Sequence, residues 1–458
     1  MHIFIKFKVV FLFLFFVFLI NNSYSQSLEE KIGQMIMVGF TGTDVPDSLK
    51  YDIEKRNLGG IVLFASNITN PIQLKTLTNK LKLLSKEKLF IGVDQEGGKV
   101  ARLNQNNGYE ASNSAYYLGT IINREDSTRF TATKMATWLN DGGINLNLAP
   151  VVDVNVNPLN PVIALKERSY SDNPFTVTNH AKWFIEEFNK KGVFTVLKHF
   201  PGHGSSMTDS HLGFTDITNT WKEIELIPYK ELINKNSIDF IMIGHLYNKY
   251  LDSLYPASLS KKVVTELLRD SLKFKGLVIS DELFMNAISD NYTFDFAIEL
   301  CIKSGTDILL FKTNIYNKRS LVGYIIETVS DKVRKGIIPE ELINNSYERI
   351  MKFKNKFIST VKYAKEILDN ENMYLINYPN PFNSETKIKF SLPESGDVRF
   401  IVYDALGKEV AVLVNDFLNK GQYVIHFNSK DYKISSGVYF YTIFTKEKII
   451  TKKMLLMK

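Results

Sequence analysis

Within fourteen residues, Lys198–His211 (KHFPGHGSSMTDSH), the chain carries one lysine, three histidines and an aspartate. Four of its seven histidines, His199, His203, His211 and His245, lie at or just after apolar, β-branched runs. The segment GVFTVL before Lys198 reads as a buried strand, and Pro201, Gly202 and Gly204 then force a loop. Titratable groups at the mouth of a buried strand are costly unless they are used. Other apolar runs end the same way, in Asp94, Asp153, His245 and Asp281-Glu282. A fixed carboxylate with a nearby proton donor suits a retaining glycosidase: the carboxylate attacks the anomeric carbon and the donor protonates the departing oxygen. Asp281, following LVIS, is the candidate nucleophile. His211 is the candidate donor, with Asp209 two residues before it to orient the imidazole and stabilise its charged form. Asp94, Arg102, Arg168, Lys198 and His199 are candidate contacts to sugar hydroxyls or an acetamido carbonyl. Gly97 and Gly98 would let the backbone approach a ligand.

These residues need a scaffold that brings strand ends to one face. Eight short apolar runs supply it: Gln34–Phe40, Gly59–Ala65, Leu89–Asp94, Ile144–Asp153, Phe194–His199, Phe240–His245, Gly276–Asp281 and Thr306–Phe311. Amphipathic stretches such as Ile72–Leu84, Thr128–Asn140, Thr176–Lys190, Lys261–Leu272 and Phe294–Lys303 alternate with them. The rhythm predicts an α/β chain with a (β/α)8 TIM-like barrel, in which catalytic groups sit at the carboxyl ends of the strands. A doubly wound sheet fits less well, because no Gly-rich dinucleotide turn is present.

Around the barrel, residues 1–25 read as a secretory signal peptide. Lys6 and Lys8 precede the apolar run Val9–Ile20, and Ser23-Tyr24-Ser25 supplies small residues for cleavage. The one cysteine, Cys301, sits in an apolar helical pattern and can form no internal disulfide. The net charge of +7 is spread along the chain without a basic block, which gives no case for nucleic acid. The barrel domain is expected over residues 26–358 and a polar linker over 359–372. From residue 373 to 458 the hydrophobic period switches to two, with turns containing Gly or Pro, which predicts six or seven strands in a small all-β, immunoglobulin-like sandwich.

DQEGGKVARL (Asp94–Leu103), KHFPGHG (Lys198–Gly204), DSH (Asp209–His211) and SDELFM (Ser280–Met285) resemble glycoside hydrolase family 3, in its bacterial β-N-acetylglucosaminidase branch. The resemblance implies Asp281 as nucleophile, His211 as acid/base assisted by Asp209, and substrate contacts at Asp94, Arg102, Arg168, Lys198 and His199. It implies no cofactor and no metal. It also implies substrates containing β-linked N-acetylglucosamine, such as chitin or peptidoglycan fragments. Lys99 stands where the family often has arginine. YPNPFN, ALGKEV and SSGVYFY with the Lys-rich final strand resemble the C-terminal sorting domain of the type IX secretion system. That resemblance implies the secretion machinery as a partner, and a secreted or outer-surface location. Three alternatives are a β-glucosidase of the same family, a non-catalytic glycan-binding protein, and a metal-dependent barrel hydrolase with zinc on His199, His203, Asp209, His211 and His245.

Overall fold

The computed structural model describes residues 26–210, 212–235, 237–365 (of 356–365 the backbone only), 375–432, 434–446 and 448–457. The expected signal peptide and the second half of the expected linker, 366–372, lie outside the described residues, as does His211. The chain divides into two compact units near residue 352.

The first unit is a barrel of eight parallel strands. They are β1 (Ile36–Val38), β2 (Gly60–Leu63), β3 (Phe90–Val93), β4 (Leu146–Asn147), β5 (Phe194–Phe200), β6 (Phe240–Ile243), β7 (Leu277–Ser280) and β8 (Leu309–Phe311). They pair in chain order, β1 also pairs with β8, and an isolated parallel bridge between Ile279 and Ile308 closes the ring. Nearly all of their residues are buried, which is why each reads as an unbroken apolar run rather than an alternation. The expected helices are present as Pro71–Leu84, Glu125–Asp141, Pro174–Lys190 and Phe294–Ser304. Asn70 and Asn173 cap two of them, each with proline at the first turn. The stretch Lys262–Ser271 is helical but wound as a π-helix. The last helix among the described residues runs from Glu340 to Lys365, so the first part of the expected linker is helical.

The second unit holds two antiparallel sheets built from seven strands among the described residues. One sheet is β9 (Leu375–Tyr378), β10 (Glu385–Leu392) and β13 (Gly421–Asn428), ordered β9-β10-β13. The other is β11 (Gly396–Tyr403), β12 (Glu409–Leu418), β14 (Gly437–Phe444) and β15 (Ile449–Leu456), ordered β12-β11-β14-β15. Thr386, Ile388, Phe390 and Leu392 point inward on β10 and their neighbours outward, the two-residue period of a sheet with one wet face. Phe390 meets Phe400 of β11 edge-on, with ring centres 5.4 Å apart, joining the two sheets through one core. This arrangement matches the expected β-sandwich.

Candidate active site

Strand ends of the barrel converge on a cavity of about 840 Å3. Asp94, Arg102, Arg168, Lys198, His199, Asp209 and Asp281 all line it, together with Glu96 and Glu282. Sequence spacing had singled out the first seven, whereas Glu96 went unnoticed.

Asp94 follows β3, and Glu96 falls on the same side of the chain two residues later. The Lys198 ammonium, on β5, sits between them, 2.8 Å from Asp94 and 2.7 Å from Glu96. Arg102 donates to the other Asp94 oxygen at 3.2 Å. Arg168 meets Glu96 with two parallel bonds of 2.8 Å each and also donates to the Val162 carbonyl. Such a fork fixes the guanidinium plane as well as its charge. Burial alone would raise the Glu96 carboxyl, but Arg168 and Lys198 outweigh it and hold the pKa at about 2. Asp94 is lowered for the same reason by Lys198 and Arg102, again against burial.

His199 gives Nδ1–H to Asp153 at 2.7 Å, which leaves Nε2 as the acceptor facing Arg168 Nη2 at 3.4 Å. Asp153 is fully buried, and its second oxygen accepts the backbone N–H groups of His199 and His203. The carboxylate at the end of the fourth apolar run thus sits beneath the site and holds two successive turns of the histidine loop. His203 is buried, with its ring between Ser206 and Ser210, and burial pushes its pKa down to about 4. It spans the loop that carries Asp209.

Asp281 stands one residue past β7. Its backbone N–H donates to Ile243 O of β6, and its Oδ1 accepts the N–H of Glu282. His245, past β6, donates Nε2–H to Glu282 O at 2.9 Å, and its Nδ1 faces Ser258 Oγ at 2.7 Å. Burial raises the Glu282 carboxyl. His203 and His245 are therefore engaged by serines and backbone. Among the described residues no group of three or more His, Cys, Asp or Glu side chains is arranged to hold a metal ion.

Gly97 and Gly98 have a packing reason to be glycine. Both have positive φ, and a Cβ on either would strike Asn113 O at 2.3 Å or Ser114 Cβ at 2.5 Å. They let a hairpin pack closely against residues 112–114.

Residues 27–353 match the N-terminal domain of glycosyl hydrolase family 3. The chain belongs to this family. A beta-hexosaminidase A of Pseudoalteromonas piscicida is 34% identical over 340 residues, spanning 69% of this chain but 56% of the relative. A beta-hexosaminidase of Actinobacillus pleuropneumoniae is 33% identical over 266 residues, 56% of this chain and 75% of the relative. A family 3 beta-N-acetylglucosaminidase from Paenibacillus superposes with a TM-score of 0.68 at 28% identity, covering 78% of this chain and 71% of that one. Beyond the family 3 barrel, residues 377–457 match the secretion system C-terminal sorting domain, which points to secretion of the chain.

Proposed function

We propose that the chain is an exo-acting β-N-acetylhexosaminidase that releases terminal β-linked N-acetylglucosamine with retention of configuration. The observation carrying this reading is that Asp281 and Asp209 line one cavity with the Asp94–Lys198–Glu96–Arg168 charge cluster. The Asp281 carboxylate attacks the anomeric carbon while the bond to the leaving oxygen breaks. His211, oriented by Asp209, gives its proton to that oxygen, then takes one from the water that frees the sugar from Asp281. Histidine suits both halves because its ordinary pKa lies near ambient pH. Asp94 accepts bonds from sugar hydroxyls, Arg102, Arg168 and Lys198 line the same wall as donors to hydroxyls or the acetamido group, and His199 presents Nε2 as an acceptor. The relatives' names support the acetamido sugar over glucose.

Chitin or peptidoglycan fragments are the proposed substrates. In this reading residues 1–25 direct export and are removed, 26–358 form the catalytic domain, and 373–458 engage the type IX machinery for release to the cell surface or medium. The test compares nitrophenol release from the β-N-acetylglucosaminide and from the β-glucoside, each with and without a chelator. Strong preference for the acetamido sugar, unaffected by chelator, is expected. Preference for glucose would overturn the substrate assignment, and loss with chelator would overturn the metal-free mechanism.

A further inference from the structure

Glu225 lies outside the cavity, yet its carboxylate is fully buried against the base of the histidine loop. It belongs to the short turn Glu223–Leu226 that precedes the helix Ile227–Asn234. Its Oε2 accepts the backbone N–H groups of Gly204 at 2.9 Å and Ser205 at 3.3 Å. Its Oε1 accepts the N–H of Lys222, closing its own turn. Four residues back, Trp221 donates Nε1–H to Pro201 O at 3.1 Å. Gly202, with φ of +126°, lets the loop press on this segment, since a Cβ there would lie 2.6 Å from Glu225 Cβ. Isolating a carboxyl this way is expensive, and burial pushes its pKa up to about 7. From the clamped base, contacts run on to the catalytic end of the loop. His203 bridges Ser206 to Ser210, and Ser206 Oγ donates to Thr208 O.

We infer that Glu225 is a positioning residue for acid/base catalysis: by holding the Gly204 and Ser205 amides it sets the loop that carries Asp209, the proposed partner of His211. This rests on the proposed role of His211. A misplaced donor costs rate only where the leaving group needs its proton. A displacement of about 1 Å at such a group is worth up to ~100-fold.

The test uses the full chain and reads kcat/KM on two N-acetyl-β-glucosaminides: the 2,4-dinitrophenyl glycoside, whose leaving group needs no proton, and chitobiose, whose leaving group does. Glu225→Ala is expected to lose about 30- to 100-fold on chitobiose and under about threefold on the dinitrophenyl sugar. Glu225→Gln, which keeps volume and one accepting oxygen, should fall between it and wild type, and decides alone if the alanine variant does not fold. His211→Ala is the reference. If it shows the leaving-group split and the Glu225 variants do not, the inference is overturned while the acid role of His211 stands. If His211→Ala loses equally on both substrates, the acid assignment falls. Amide exchange over residues 202–210 then decides: faster exchange in the Glu225 variants supports the clamp, and unchanged exchange overturns it.

Discussion

Replacing Glu96 by glutamine isolates the charge that organises the cavity wall. Glu96 accepts both Arg168 bonds and faces Lys198, so the neutral amide leaves the buried Arg168 and Lys198 with Asp94, which Arg102 already engages. The drop from an ordinary 4.5 to about 2 corresponds to about 3 kcal/mol of folding free energy at neutral pH. Breaking a buried ion pair by removing one partner costs about 3–5 kcal/mol, the same order. Because the folded pKa is depressed, this stabilisation is complete above the unfolded value of 4.5 and is lost as pH falls toward 2. All three tryptophans, Trp138, Trp183 and Trp221, lie in the barrel unit, so tryptophan fluorescence follows its unfolding selectively. With a slope of ~3 kcal/mol per molar urea, Glu96→Gln should lower the midpoint by about 1 M at pH 7. The gap between variant and wild type should narrow by about 1 kcal/mol at pH 3.5. A midpoint shift under about 0.3 M at pH 7, or a gap equally wide at both pH values, would refute the argument.

Asp281→Ala should cut turnover by at least ~1000-fold with an unchanged circular dichroism spectrum, and near-wild-type activity would remove it as nucleophile. Cys301 is fully buried and its thiol is pushed up to about 12, so iodoacetamide at pH 8 should leave both the intact mass and the activity unchanged. A one-adduct mass shift on the native chain would contradict this. Phe400→Ala removes the ring that joins the two sheets through Phe390, a loss of about 3–5 kcal/mol in a small core. Proteolysis within residues 377–457 should then accelerate sharply, and unchanged kinetics would deny Phe400 that role.

The barrel was legible because strands buried on both faces leave continuous apolar runs, and each of the eight runs holds one strand, with β5 extending one residue past its run to Phe200. Their lengths were less legible. Ile144–Asp153 yields only Leu146–Asn147 as regular strand, with Pro150 lacking an N–H for the ladder and a lone bridge from Val151 to Lys198 beyond it. Lys198, Asp94 and Asp281 stood out because polar groups at the ends of apolar runs are conspicuous. Glu96 did not, although its two-residue offset from Asp94 was a usable signal. Its partner Arg168 lies 72 residues away, and only the closed barrel brings them together. Glu225 was hidden likewise, since an acidic residue in a polar turn reads as solvated until the loop folds over it. At the glycine pair close approach is visible in sequence, whereas the packing of Gly97 and Gly98 on residues 112–114 is not.

The proposed mechanism turns on a glycosyl-enzyme at Asp281. An N-acetylglucosaminyl fluoride carrying a second fluorine at C5 should form that intermediate quickly and release it slowly, so peptide mass spectrometry can locate the bond. One sugar is expected on the peptide containing Asp281, attached to that carboxylate. Attachment to Asp209 or Glu282, or turnover of the probe with no adduct at any time, would contradict it.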